Sequence, residues 1–311
     1  MYKQSFGLRE APFSVTPDPK FVFLSFRHRN ALGGLTYGIL SRKRFIVLTG
    51  DVGTGKTTLI ATALRHLPEA RTRFGVILNP TLPQAEVLEA ILSALGVPHI
   101  PASKVQRLSM LESLLKSDGR QGKITTLVID EAHKLEPEAL EEIRLVGNFD
   151  SLQIVLVGQS ELSEVLNREE LRPLKQRIAV RLSIEPLSAA EVGQYISHRW
   201  TTAGGQSPPP FSTEAIQGIT QQSRGIPRLI NTICDNALLV ASEAQVSAVS
   251  LEHVLEASTT LQLSNSVEAH SAPPPASEHL SGRWSLTSLQ KFLSRKNGVD
   301  GLSLAERKQS A

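Results

Sequence analysis

The apolar run Phe45-Ile-Val-Leu-Thr49 leads into Gly50-Asp-Val-Gly-Thr-Gly-Lys-Thr57, and helix-spaced Leu59, Ala63 and Leu64 follow directly. The octet fits G-x-x-x-x-G-K-[ST] and sits where its chemistry needs it, after a buried strand and opening a helix. Gly50, Gly53 and Gly55 let the backbone wrap closely around phosphate groups, and the helix N-terminus favours their negative charge. Asp51, Val52 and Thr54 complete the loop whose N–H groups line such a cradle. Lys56 offers a point charge to β- and γ-phosphates, and Thr57 offers a hydroxyl to Mg²⁺. Thr58 belongs to the same nucleotide-binding set.

The surrounding pattern supplies a sheet to carry this loop. Residues 45–49, 74–78, 124–129, 152–157 and 180–184 read as short apolar strands, separated by helical spacing over 57–67, 86–95, 105–115 and 137–146. Apolar strands alternating with helices predict a parallel sheet covered on both faces. After Pro186 the strand signal stops, and 189–201, 213–222, 227–244 and a shorter segment from Leu251 read as helices. The expected fold is α/β, a helix-sandwiched parallel sheet followed by a small all-helical lid domain. The expected domains are an arm with turn chemistry (1–43), the core (44–186), the lid (187–260) and a Ser- and Pro-rich tail (261–311). Within that tail, Trp284 to Leu293 could form a short amphipathic helix.

Leu127-Val-Ile-Asp130-Glu131 runs an apolar strand into two carboxylates, which are costly at a buried strand end without a cation to face. Asp130 would hold Mg²⁺ with Thr57, and Glu131 would polarise the attacking water. Gln159, after Leu156-Val-Gly158, is placed to orient that water or the γ-phosphate. Asn79, after Val76-Ile-Leu78, could restrain Glu131 until a ligand binds. Asp130-Glu-Ala-His133 also spells the DEAH of certain helicases, but those need two such cores and this chain has room for one. His133 therefore reads as a cap or surface residue. Neither Asn-Lys-x-Asp nor Thr-Lys-x-Asp, the signatures of guanine recognition, is present, which argues against a GTPase.

Two arginines complete the set. Arg177, just before the last strand, could reach the γ-phosphate of a neighbouring subunit as an arginine finger, with Arg181 as its rival. Arg228, in Arg224-Gly-Ile-Pro-Arg228, opens a helix whose Pro227 suits a first turn, and could face back across the nucleotide.

Taken together, these residues resemble the AAA+ family and, more narrowly, the cytoplasmic ATPase modules of secretion pathways. The likeness includes Phe6-Gly-Leu8, Pro12-Phe13, Pro17-Asp18-Pro19, the glycine-rich loop, Val128 to His133, Val157-Gly-Gln159, Gln176-Arg177 and Gly225-Ile-Pro-Arg228. It implies an ATPase using ATP and Mg²⁺ that assembles into homo-oligomers and couples hydrolysis to the assembly of a partner. In secretion modules a membrane span and a periplasmic region follow the ATPase. This chain shows no such span, so a stand-alone ATPase of a secretion or polysaccharide-export system is expected.

No run approaches the ~20 apolar residues that cross a bilayer, and the N-terminus lacks a signal-peptide pattern. A cytoplasmic location is expected, with any membrane contact made through a partner. The single cysteine, Cys234, excludes an intrachain disulfide and a Cys-based zinc site, and reads as a buried helix thiol. A net charge of +3 is too small to imply DNA binding by itself. The alternative reading, an ATP-controlled DNA-binding switch of the transposition-regulator type, needs a basic stripe. Arg27, Arg29, Arg42, Lys43 and Arg44, with Arg283, Lys291, Arg295 and Lys296, are its candidates.

Overall fold

The computed structural model describes residues 2–262 apart from Pro17 and Asn79, so the helix expected over 284–293 lies outside the described residues. The chain divides into two compact units. One holds Phe26–Asp51 and Lys56–Ile184, and the other holds the N-terminal segment to Ser25, Val52–Gly55 and residues 185–262.

The elements run α1 (Tyr2–Ser5), α2 (Phe26–Leu40), β1 (Phe45–Gly50), α3 (Lys56–His66), β2 (Thr72–Ile77), α4 (Val87–Ala94) and α5 (Lys104–Arg120). They continue with β3 (Ile124–Ile129), α6 (Pro137–Val146), β4 (Leu152–Gly158), α7 (Glu161–Val165), α8 (Arg172–Lys175) and β5 (Ile178–Ile184). Helices α9 (Ala189–Thr202), α10 (Thr213–Ser223), α11 (Pro227–Glu243) and α12 (Leu251–Thr260) complete the series.

The five strands form one parallel sheet in the order β2-β3-β4-β1-β5, as the alternation of strands and helices predicts. Strands β3 and β4 are buried along their whole length, which is why their sequences are apolar without alternation. At the sheet edge β5 does alternate, with Ala179, Arg181 and Ser183 exposed. One face packs Val47, Leu127, Ile129, Ile154 and Leu156 with Leu88, Ile91, Leu111, Leu140 and Ile143 from α4, α5 and α6.

Helix α2 was not foreseen, since the stretch 1–43 read only as turns and an apolar patch. Its buried positions, His28, Ala31, Leu35, Gly38 and Ile39, do follow helical spacing. Gly33 and Gly34 weaken the local signal because glycine is a poor helix former. Gly34 and Gly38 stand where the helix comes close to the sheet, whereas a Cβ on Gly33 would meet nothing within 4 Å. A Cβ on Gly38 would fall 2.7 Å from Ile46 Cδ1, and one on Gly34 would fall 2.6 Å from Leu182 Cδ2. Side chains at those positions would push α2 off β1 and β5.

The helical unit builds its own core, and the N-terminal segment is part of it. Tyr2, Leu8, Phe13 and Phe21 pack with Val192, Ile196, Trp200, Ile230 and Cys234. Arg199 fastens them. Its guanidinium, 7% exposed, donates to the carbonyls of Pro12 (2.6 Å) and Ser14 (3.1 Å) and to the Tyr195 hydroxyl (3.2 Å). It also lies 4.8 Å from the centre of the Phe21 ring. Ser188 and Glu191 form a capping box that starts α9, and the Ser212 hydroxyl caps α10. Cys234 is fully buried, and burial pushes its thiol well above the usual range, as expected of a core thiol.

Candidate nucleotide site

Three neighbouring strands deliver the candidate residues to one edge of the sheet. Strands β1, β3 and β4 end at Gly50, Ile129 and Gly158, and the order β3-β4-β1 sets those ends side by side. Gly53 and Gly55 adopt φ of 81° and 99°, left-handed conformations that a side chain would strain.

The glycine-rich loop and the acidic strand end meet directly. Thr57, the second residue of α3, donates its hydroxyl to Asp130 Oδ2 at 2.9 Å. Asp130 Oδ1 accepts the Glu131 N–H, also at 2.9 Å. Burial pushes the Asp130 carboxyl up, while those two hydrogen bonds pull the other way. Lys56, 8% exposed, donates from Nζ to the carbonyls of Gly50 (2.6 Å) and Asp51 (2.9 Å). Burial lowers its ammonium pKa, opposed by the charges of Asp130, Glu131, Asp51 and Glu161.

Burial thus disfavours both an ammonium and a carboxylate in one small region. A ligand carrying anionic oxygens beside a divalent cation supplies the counter-charge each lacks, so these residues fit a nucleoside triphosphate with Mg²⁺. Among the described residues no group of three or more His, Cys, Asp or Glu side chains is arranged to hold a metal. A cation here would rest on Thr57 and Asp130 and take its other oxygens from phosphate and water.

Glu131 sits at φ 57°, ψ 33°, a left-handed conformation costing a non-glycine residue about 1–2 kcal/mol. Its carboxylate Oε2 lies 3.2 Å from Lys134 Nζ and 3.8 Å from His133 Nε2. Gln159 follows β4, and its backbone N–H points at His133 Nδ1 over 3.4 Å. Asp51 accepts a hydrogen bond from the Ser160 hydroxyl at 3.1 Å.

His133 corrects the sequence reading. Its side chain is only 11% exposed and turns inward to Gln159 and Glu131, so it is not a surface residue. The Asp-Glu-Ala-His text marked the residue, but its partner Gln159 lies 26 positions away. Ser160 was also missed.

Of the remaining candidates, Arg177 and Arg181 lie away from the loop, whereas Arg228 bonds to it. Asn79 is outside the described residues. Arg177 precedes β5 and donates to the Arg144 carbonyl at 3.3 Å and to Asn148 Oδ1. The register Phe45↔Ile178 and Gly50↔Ile184 sets Arg177 at the opposite end of the strands from Gly50. Arg181 pairs with Val47 in mid-strand and is exposed. Within the helical unit, the Arg228 N–H donates to the Gly53 carbonyl at 3.3 Å. A Cβ on Gly53 would fall 2.9 Å from Arg228 Cβ.

Residues 39–166 match a family model described as an AAA domain. The chain is 41% identical over 247 residues to general secretion pathway protein A of Aeromonas hydrophila, covering 78% of this chain and 45% of that protein. It spans about half the length of the curated relatives it matches. Among solved structures, a Drosophila ORC chain bound to DNA superposes with a TM-score of 0.64 at 20% identity, covering 84% of this chain and 66% of that one. Cdc6p from Pyrobaculum aerophilum superposes with a TM-score of 0.63 at 20% identity, covering 80% and 70%. At such identities these two show the fold alone. No helix among the described residues is long and apolar enough to cross a membrane. The chain carries an AAA domain in the AAA+ P-loop fold and, over most of its own length, resembles general secretion pathway protein A.

Proposed function

We propose that this protein binds ATP with Mg²⁺, hydrolyses it, and couples turnover to the assembly or regulation of an export or secretion system. The observation that carries the reading is the 2.9 Å bond from Thr57 to Asp130, which ties the phosphate-cradling loop to the acidic strand end. Bound between them, the cation would draw charge from the β- and γ-phosphates. Lys56 would exchange its carbonyl partners Gly50 and Asp51 for phosphate oxygens, and the N–H groups of residues 50–58 would line the rest. Glu131 would take the proton of the attacking water, with Gln159 orienting that water or the γ-phosphate. Asn79 is proposed to restrain Glu131, and Arg228 to report on the γ-phosphate.

Arg177 is proposed as a finger in trans, and topology supports this. Strand β5 is seven residues long, roughly 20 Å at ~3.3 Å per residue, and that length separates Arg177 from its own phosphate loop. Arg177 therefore acts on a neighbouring copy's site or on none. A homo-oligomer follows from this reading.

The export role rests on the resemblance to general secretion pathway protein A. A cytoplasmic location, with membrane contact through a partner, belongs to the same proposal. Steady-state ATP turnover with and without duplex DNA, at two salt concentrations, tests it. Turnover indifferent to DNA is expected. Strong, salt-sensitive stimulation by DNA would favour the DNA-binding switch instead.

A further inference from the structure

We infer that His133 is a positioning residue through which Gln159 governs the Glu131 carboxylate, an inference that rests on the ATPase reading above. The ring stands between the two. Its Nδ1 lies 3.4 Å from the Gln159 backbone nitrogen, and its Nε2 lies 3.2 Å from the Gln159 amide nitrogen Nε2 and 3.8 Å from Glu131 Oε2. Gly158 makes room for this, because a Cβ there would come 3.3 Å from Nδ1 and 2.9 Å from the Leu162 side chain.

The hydrogen-bond inventory then fixes the roles. A backbone N–H only donates, so Nδ1 accepts. A neutral imidazole has one N–H, which Nε2 carries once Nδ1 accepts, so the Gln159 amide, placed nitrogen-first, is assigned the flipped orientation with its oxygen toward Nε2. Burial lowers the ring's pKa and keeps it neutral, against the charges of Glu131 and Glu161 and with those of Lys134 and Lys56.

A single N–H therefore faces two acceptors, Gln159 and Glu131. While the Gln159 amide holds it, that N–H is not shared with the Glu131 carboxylate, which lies 3.2 Å from Lys134 Nζ. When Gln159 turns its amide toward a γ-phosphate or the attacking water, the Nε2–H is released to Glu131 and fixes the orientation of that carboxylate. Occupation of the Gln159 end is thus read at the Glu131 end, and no proton changes owner.

The test uses the full chain, with ATP turnover and binding of a fluorescent ATP analogue measured in parallel. His133→Ala should lower kcat about tenfold or more while leaving analogue affinity within about twofold. His133→Gln, whose amide reaches the Nε2 position, should recover activity that His133→Asn, reaching only the Nδ1 position, does not. Combining His133→Ala with Gln159→Ala should cost no more than the worse single change, because both cut one connection. The inference is overturned if His133→Ala keeps wild-type kcat, if Asn substitutes as well as Gln, or if the two losses multiply. Should the alanine variant not fold, the Gln and Asn variants decide by themselves. A wild-type chain without turnover would overturn the ATPase reading and this inference together. Wild-type turnover that survives His133→Ala would overturn this inference alone.

Discussion

Among the described residues each unit buries one long cation, and the two are treated in opposite ways. Arg199 in the helical unit has carbonyl and hydroxyl acceptors from Pro12, Ser14 and Tyr195 and an aromatic ring beside it. It closes a core, with three acceptors from the same unit around its head group. Lys56 in the sheet unit has only two carbonyls of its own loop, and burial lowers its pKa despite four nearby carboxylates. A buried cation that ties sequence-distant carbonyls and a ring together holds structure, whereas one that burial works against is kept for chemistry.

The largest expected effect breaks this contrast if it fails. Lys56→Ala should abolish detectable ATP binding, a loss of about a hundredfold or more, while leaving the melting temperature unchanged or raised, because a disfavoured buried charge is removed. Calorimetric titration and thermal denaturation of the same sample check both halves. Arg199→Ala should do the reverse. It strands the carbonyls of Pro12 and Ser14 and should cost about 2–4 kcal/mol of stability, read by denaturant unfolding. If Lys56→Ala proved the less stable of the two, the division would be wrong.

A finer effect concerns assembly. Arg177→Ala should leave ATP affinity intact and lower turnover, because a finger acts on the transition state. Mixing Arg177→Ala with Glu131→Gln should then restore part of the activity, since a mixed interface pairs an intact Glu131 with an intact Arg177. Mixtures that co-assemble without recovery would move the role to Arg181. The smallest effect is expected from removing residues after Gln262. A Ser- and Pro-rich sequence of this kind carries little apolar surface to bury, so the melting temperature should hold.

How much of this was legible in the sequence follows the reach of each interaction. The strands, the phosphate loop and the Asp130-Glu131 pair were readable because apolar runs, glycine spacing and adjacent carboxylates are local patterns. Arg199 was not, since its partner Pro12 lies 187 positions away, and nothing around Arg199 shows that a carbonyl will meet it. The same holds for His133 and Gln159, which were each noticed without their contact. Helix α2 was hidden differently. Of the glycines that weaken its local signal, Gly34 and Gly38 are the ones that lie close to β5 and β1.

The central claim is that Glu131 acts on water while Lys56 and the loop hold the phosphates. Its most direct test measures ATP affinity and single-turnover hydrolysis in Glu131→Gln under one set of conditions. The account expects wild-type affinity with hydrolysis slowed about a hundredfold or more. Near-normal hydrolysis by Glu131→Gln would contradict it.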